Sequence, residues 1–426
     1  MNAGSYYEAT AGDRPLRSAL EAHIDAEVCI IGAGFAGLAT ALGLLERGVR
    51  DVVVLEAEQV GFGASGRNGG FVFGGFSLDC ADLLAQLGPV SAKSLYGLTR
   101  RAVTTIRERI RRHAIACDAV EGGALWVNWF KDEAILRRQQ QLMASQFGVA
   151  WQFVGATQLR GLINSPRYSA ALLEPDAFHF HPLKYALGEA RAIESSGGTV
   201  FEQSRVTRIE TSSGATRVVT AHGSVRARHV VVAGGGHLHG LVPALERAML
   251  PVATYVMVTE PLGDVLRELI PSRAAIYDTR FAFDYYRGLP DTRLLWGGRI
   301  SVRDRHPADI ATFLKRDMVR VFAPLRDAKV DYAWGGTMSY ARHKMPQIGR
   351  LPNGLWYGLG FGGHGVAPTT AAGELLAASI AHGEPLPSEL QRYGLPRTFR
   401  PAGLAAAQAS YAWLQLKDRW REIAAL

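Results

Sequence analysis

The stretch from Ala26 to Ala57, AEVCIIGAGFAGLATALGLLERGVRDVVVLEA, constrains this chain more than any other. Val28 to Ile31 predict a short buried strand, Gly32-x-Gly34-x-x-Gly37 a turn, Ala36 to Arg47 a helix stopped by Gly48, and Val52 to Leu55 a second strand closed by Glu56. Together they form a βαβ unit. The first two glycines let backbone approach a pyrophosphate, and the third lets helix and strand pack closely. The helix N-terminus adds N–H donors and the positive end of a dipole. Glu56 stands where a ribose hydroxyl is held, with Phe35, Ala36 and Ala57 beside these groups. A lone GxGxxG carries little weight. Strand, glycines, apolar helix, second strand and a carboxylate about 20 residues on point together to a dinucleotide site. Val28 to Leu45 carries no charge and has the length of a minimal membrane span. A bilayer requires no such glycine spacing, however, and aromatic belts are missing at both ends. NAD and FAD fit this unit equally well.

A chain of 426 residues is too long for one simple core and predicts two domains, possible as interleaved segments. The N-terminus has early charges and no apolar segment before a cleavage site, so nothing indicates export. Cys29, Cys80 and Cys117 are odd in number and irregular in spacing, which predicts reduced thiols and a cytoplasmic protein. The net charge of +8 comes from arginines scattered through the predicted elements rather than massed in one tract, so nucleic acid is not an expected partner.

Ahead of the βαβ unit lies a polar arm with Tyr6, Tyr7 and Arg17, expected to cross the surface. After it, Gly61 to Gly70 form a glycine-rich loop dense in backbone donors, in which Gly63, Ala64, Ser65, Arg67, Asn68, Gly69 and Gly70 suit phosphate or ribityl contacts. Ser91 to Cys117 predict a long helix whose Arg107, Arg109, Arg111 and Arg112 form a solvated face. Strands are expected at 122–128 and 151–154, with a polar helix at 131–147 between them. The His179-x-His181 pair has a metal-ligand spacing but no further ligands to complete a site, so no metal is expected. A helix from Leu183 to Ser195 leads to a strand starting at Gly198 and continued by 205–210, which includes Val206. Further strands follow at 217–221 and 224–227, then an apolar run from His229 that ends in Ala233, Gly234, Gly235 and Gly236. Its carboxyl end is expected against the ligand, as in open α/β sheets.

From Pro251 to Trp334 the pattern is of alternating strands, at 253–260, 281–287 and 294–300, with an amphipathic helix at 310–322. Tyr255, Phe283, Tyr285, Tyr286 and Trp296 are candidate pocket aromatics. A second glycine loop, Gly358-Leu-Gly360-Phe-Gly362-Gly363-His364-Gly365-Val366, then precedes a helix with Pro368 in its first turn. This second helix N-terminus decides between the cofactors. A reduced flavin develops negative charge around N1 and the C2 oxygen, which free N–H groups from Gly363 to Val366 would stabilise, whereas a nicotinamide has no comparable need.

These residues resemble the FAD-dependent D-amino-acid-oxidase (DAO) superfamily, in particular its gamma-glutamylputrescine oxidoreductase branch. The matching passages are Ser5-Tyr6-Tyr7, GAGFAG, Gly63-Ala-Ser-Gly-Arg-Asn-Gly-Gly70, His181-Pro-Leu-Lys-Tyr-Ala-Leu-Gly188, Tyr286-Arg287, Leu294-Leu-Trp-Gly-Gly298 and Gly362-Gly-His-Gly-Val366. The resemblance implies an α/β fold: a Rossmann-like FAD-binding domain (1–90, 180–245 and 335–426) interleaved with an antiparallel β-sheet substrate domain (91–179 and 246–334). It implies non-covalent FAD, oxidation of a carbon beside an amine, and O2 or another electron acceptor. Catalytic candidates are His364, whose family counterpart borders the flavin face, with Tyr286 and Tyr255. The sarcosine oxidase branch has a lysine three residues beyond the loop histidine, where this chain has Ala367, and another on a substrate-domain strand, where Leu294 to Ile300 has none. The first departure disfavours a small amino acid held by its carboxylate; the strand lysine promotes reaction with oxygen in that branch, so its absence here leaves oxidase and dehydrogenase both open. In the closing segment Leu404 to Leu426, Trp413, Leu416, Trp420 and Ile423 share one helical face, expected to pack rather than to meet a membrane.

Overall fold

The computed structural model describes residues 4–211, 214–302 and 305–424. The opening βαβ unit forms as expected from its pattern. The strand is His23–Ile31, the helix Phe35–Glu46 and the returning strand Val52–Leu55. These strands lie in a sheet ordered Gln347–Arg350, Trp356–Leu359, Ser224–Val232, His23–Ile31, Val52–Leu55 and Thr199–Phe201. All pairs in that row are parallel except the first. Parallel strands share a carboxyl edge, so the turns after Ile31, Leu55, Val232 and Leu359 all open on one side, where α/β sheets bind their ligands.

The second sheet runs Val330–Ala341, Met249–Thr259, Leu294–Ser301, Asp284–Gly288, Ala275–Asp278, Ala124–Val127, Ala171–Glu174 and Gln152–Val154. Its pairs are antiparallel except that Ala275–Asp278 runs parallel to Ala124–Val127. The helix Pro307–Val321 covers one face, with Ile310, Leu314 and Met318 in a core with Tyr255, Tyr286 and Trp296.

Several expectations need correction. The long helix begins at Cys80 rather than Ser91 and ends at Arg112, because Asp79 caps it and Gly88 carries it past Pro89 through a non-helical kink. The segment after Gly198 is not one strand. Thr199–Phe201 joins the parallel sheet, whereas Arg208–Thr211 turns back as a hairpin with Thr216–Val219. The N-terminal arm is a short helix, Tyr6–Thr10, and not a surface strap. Tyr7 is fully buried, edge-on to Trp334 with ring centroids 5.4 Å apart.

The strand Val330–Ala341 runs across the boundary expected at residue 335, because its whole length pairs with Met249–Thr259. The terminal helix Arg400–Ala424 lies against the second sheet, not the nucleotide-binding segment. It docks through polar groups: the Tyr411 hydroxyl accepts from Ile300 N at 2.8 Å, Asp418 accepts from Phe281 N at 2.9 Å, and Glu422 pairs with Arg167 at 2.7 Å. The face expected to pack, Trp413, Leu416, Trp420 and Ile423, points outward. Residues 425 and 426 of that segment lie outside the described residues. Among the described residues, no helix is long and apolar enough to cross a membrane.

Two helices, Phe35–Glu46 and Val366–His382, lie side by side on the first sheet. Their backbones approach so closely that a Cβ on Gly373 would stand 2.7 Å from Thr40 N. Beside them Arg109, expected in solvent, is 1% exposed and bonds Glu46, the last residue of the first helix, at 2.6 Å and Glu374, midway along the second, at 2.5 Å. That ion cluster joins the kinked helix to both others, and its buried cation is matched by two carboxylates, as burial of charge requires.

Glu189 lies in the same core, fully buried, with its carboxyl accepting from the Tyr185 hydroxyl at 3.1 Å. Burial pushes this carboxyl up to about 8 from an ordinary 4.5. Between those values the folded chain keeps a proton that the unfolded chain releases, so the stability associated with Glu189 falls as pH rises through the window. Glu189→Gln keeps the acceptor and does not titrate. Its melting temperature relative to wild type should therefore rise from about pH 5 to about pH 8. A difference constant with pH would show that Glu189 does not titrate there.

Candidate functional site

A cavity of about 1060 Å³ runs from the carboxyl edge of the first sheet to the uncovered face of the second. That is at the upper end of small-ligand sites. Gly32, Gly34, Phe35 and Ala36 form its wall at one end, with Glu56, Ala57, Val206 and Ala233 to Gly235. Gly63 to Ser65 and Arg67 to Gly69 line its middle. Gly362, Gly363, His364, Gly365 and Val366 face it from the second glycine loop. Thus the N-termini of both packed helices open into one space.

Gly37, Gly70 and Gly360 are not in the wall but shape it from behind. Gly32 holds φ +107°, in the left-handed region, and a Cβ on Gly37 would collide with its carbonyl oxygen. Side chains at these two places would push the first strand away from its helix. The Glu56 carboxylate accepts from Ala33 N at 2.8 Å and Glu58 N at 3.0 Å, which fixes it at the strand end. Burial still raises its pKa.

The three polar side chains expected to bond cofactor oxygens are bonded to protein atoms. Ser65 Oγ accepts from Phe35 N at 2.9 Å, Asn68 Nδ2 donates to Ser65 O at 2.8 Å while its Oδ1 accepts from Gly70 N, and Arg67 pairs with Glu8 at 3.0 Å. They brace the loop and leave its backbone toward the cavity; Ser65 keeps its own hydroxyl proton as a donor. Arg287, 2% exposed, holds the loop from below without any carboxylate. It donates to Gly69 O at 2.8 Å and to Phe180 O at 2.8 Å, and its Nη1 donates to His179 Nδ1 at 3.3 Å.

His179 also donates through Nε2 to Arg273 O at 3.0 Å, and His181 Nδ1 accepts from Lys184 N at the start of the helix Pro182–Ser195. Burial, reinforced by neighbouring cations, lowers both imidazoles to about 3, so both are neutral. Among the described residues no group of three or more His, Cys, Asp or Glu could hold a metal ion.

His364 packs edge-on to Phe73, ring centroids 4.3 Å apart, and its Nε2 donates to Phe73 O at 3.3 Å. Burial lowers it to about 4, so the ring is neutral at neutral pH. Its backbone N–H, expected to be free, donates to Ser77 Oγ at 3.1 Å, and the Gly363 amide bonds the Tyr340 hydroxyl.

Tyr255 and Tyr286 do not line the cavity. Successive strand residues point to opposite faces, and both tyrosines point to the helix-covered one. Tyr286 stacks on Trp296 at 4.3 Å, and Tyr255 meets Phe313 at 5.3 Å. Their neighbours Tyr285 and Thr254 face the cavity, with Phe283. Glu174 is a cavity residue that no sequence motif marked. Its signal was only a carboxylate closing the run Ala-Leu-Leu-Glu, on a strand the periodicity did not reveal.

The donor set fits an FAD. One helix N-terminus and Gly32 to Gly34 would hold the pyrophosphate, Glu56 the ribose, the braced loop the middle of the molecule, and the second glycine loop the flavin. Cys80 also lines the cavity, and burial pushes its thiol up to about 12.

Comparison with known proteins agrees. A family model described as FAD dependent oxidoreductase (DAO) matches residues 27–379. The chain is 37% identical over 422 residues to gamma-glutamylputrescine oxidoreductase of Escherichia coli K12, covering 97% of this chain and 98% of that protein. It is 33% identical to the probable oxidoreductase OrdL of Haemophilus influenzae, over 83% of each. Among solved structures, glycine oxidase from Geobacillus kaustophilus superposes with TM-score 0.72 at 21% identity, covering 88% of this chain and 99% of that one. L-proline dehydrogenase from P. horikoshii does so with TM-score 0.73 at 18% identity, covering 87% and 97%.

If Glu56 holds the ribose, Glu56→Ala should purify with little flavin, whereas Tyr286→Phe, altered on the far face of the sheet, should keep a full complement. The flavin-to-protein absorbance ratio decides. Full retention in Glu56→Ala would remove the assignment.

Proposed function

This chain belongs to the FAD-dependent oxidoreductase (DAO) family, and from that premise we propose that it oxidises the C–H bond beside the nitrogen of a cationic amine, with gamma-glutamyl polyamines and simple diamines as the leading substrate class. FAD, which the two glycine loops and the helix N-termini behind them would hold, would supply the acceptor for a hydride from that carbon; the nitrogen lone pair would form the C=N bond, and water would hydrolyse the iminium to an aldehyde or ketone with release of the amine or ammonia.

The protein's task is to orient the amine, exclude water and keep the nitrogen uncharged at the moment of transfer. The aromatic faces of Phe73, Tyr277, Phe283 and Tyr285 supply a dry wall. Neutral His364 adds a polar group beside the second glycine loop without adding charge, and we assign it to positioning the substrate or the flavin edge.

One observation carries the preference for an amine over an amino acid held by its carboxylate. Each arginine lining the cavity already has an acidic partner: Arg67 with Glu8, Arg205 with Glu58, Arg208 with Glu210, Arg280 with Asp278 and Asp284, Arg299 with Asp317. Ala367 likewise brings no cation. A carboxylate held beside the reacting nitrogen would have to displace one of these pairs, at a cost of desolvation, whereas the carboxylate of a gamma-glutamyl polyamine lies at the end of the molecule away from the oxidised carbon.

The outward face of Trp413, Leu416, Trp420 and Ile423 favours a second reading of the electron acceptor. In it the protein is a dehydrogenase that works at a membrane surface and passes electrons to an acceptor other than O2. Hydrogen peroxide formed in step with amine consumption would exclude it.

Anaerobic mixing with gamma-glutamyl polyamines, diamines, N-methyl amino acids and D-amino acids tests the substrate class. Bleaching of the flavin is expected with the first two. Bleaching by amino acids alone, or by none of the panel, would overturn the proposal. In His364→Ala the bleaching rate with the best amine should fall on the order of 10²-fold through lost positioning. An unchanged rate would remove His364 from the site.

A further inference from the structure

We propose that Glu174 recognises the substrate's cationic nitrogen, at an end of the cavity walled by Tyr96, Trp126, Trp151 and Tyr277. The inference rests on the reading of the substrate as an amine and names the group that selects it.

Glu174 closes the strand Ala171–Glu174 on the second sheet and lines the cavity while only 6% exposed. Its Oε2 has no hydrogen-bond partner among the described residues. The other acids in the cavity wall are engaged: Glu56 by two backbone N–H groups, Glu58 by Arg205, Asp79 by the N–H of Asp82, and Asp278 by Arg280. Arg100, whose positive charge Glu174 feels, is paired with Asp176 at 3.2 Å. A buried carboxyl with one oxygen left unbonded is costly in a folded chain unless something completes it.

The surroundings show what would complete it. The Tyr96 hydroxyl is also buried without a partner. It meets Glu174 around Gly74, whose backbone bonds the Glu174 carboxyl and whose Cβ position lies 3.2 Å from that hydroxyl. A carboxylate, a hydroxyl oxygen and four aromatic faces make a site for an ammonium ion, which needs acceptors and is attracted by π-faces. They offer a carboxylate or phosphate nothing comparable. Burial pushes the Glu174 carboxyl up to about 8, so near neutrality the site without a bound cation holds the acid, which ionises when a cation arrives beside it. The site also borders the rest of the cavity machinery. Phe73, the neighbour of Gly74, stacks on Tyr277 at 5.5 Å and accepts the His364 Nε2–H bond.

The test uses the flavin-loaded enzyme and two isosteric probes, choline and its uncharged analogue 3,3-dimethylbutan-1-ol, with binding read by calorimetry and by perturbation of the flavin spectrum. Wild type should bind choline at least about tenfold more tightly than the alcohol. Glu174→Gln should lose that preference, and Glu174→Asp, which keeps the charge, should retain part of it. Should Glu174→Gln fail to hold flavin, the Asp variant and Tyr96→Phe carry the comparison, each with a reduced preference. In turnover, Glu174→Gln should raise KM for an amine about tenfold, with a smaller change in kcat. No choline preference in wild type, or one unchanged in the variants, overturns the assignment. If amines bleach the flavin while the variants behave as wild type, the substrate class stands and Glu174 falls. If choline binding depends on Glu174 but no amine bleaches the flavin, the cation site stands and the proposed reaction falls.

Discussion

The site depends on one packing contact, the close approach of the helices Phe35–Glu46 and Val366–His382 around Gly373. These helices come from segments more than three hundred residues apart in the chain. With small residues at the crossing, Gly373 against Ala39 and Gly43 against Ala377, their backbones nearly touch. That closeness sets their N-termini side by side at one edge of the sheet. Arg109 ties the end of the first helix to the middle of the second through Glu46 and Glu374. Each helix alone offers a modest positive end. Two of them opening into one cavity would give a long anionic cofactor a binding site at both its diphosphate and its flavin.

The rest of the cavity is a consequence of keeping that space dry and its walls fixed. Arg287 is buried without an acid and spends its donors on the carbonyls of Gly69 and Phe180, so it anchors the loop without placing a counter-charge near the cofactor. His179, His181 and His364 are held neutral by burial, and the arginines in the wall are all paired with acids. Against this neutralised background the Glu174 carboxyl, with no cation paired to it and its Oε2 unbonded among the described residues, stands out. The chemistry proposed needs such a balance. The cavity must attract a cation, yet let it shed a proton before its carbon reacts.

The sequence was most legible where spacing itself is the mechanism. Gly32, Gly34, Gly37 and Glu56 could be given places in a βαβ unit because turn, helix and strand end follow from the fingerprint. It was least legible on the second sheet. Tyr285 and Tyr286 are neighbours in sequence and equally aromatic, but a strand sends them to opposite faces. Which face the helix Pro307–Val321 would cover was not written locally, so Tyr286 and Tyr255 looked like pocket residues and are core. The arginine run on the Cys80–Arg112 helix misled for a related reason: composition marked it as solvated, and only the arrival of two other helices buried Arg109. The terminal helix reversed the usual rule, docking by Tyr411, Asp418 and Glu422 while its tryptophans face out.

What the sequence by itself determined was the nucleotide-binding unit, the second glycine loop with its helix, and through them the flavin. These are local patterns in which residue type and spacing fix backbone geometry over a few turns. Only the tertiary structure decided what faces the substrate. The cavity's second wall is assembled from strands at 124–127, 171–174, 275–278 and 284–288, drawn from well-separated parts of the chain. Whether a carboxyl such as Glu174 is solvated, paired or left waiting depends on what those strands bring beside it, and no local pattern records that.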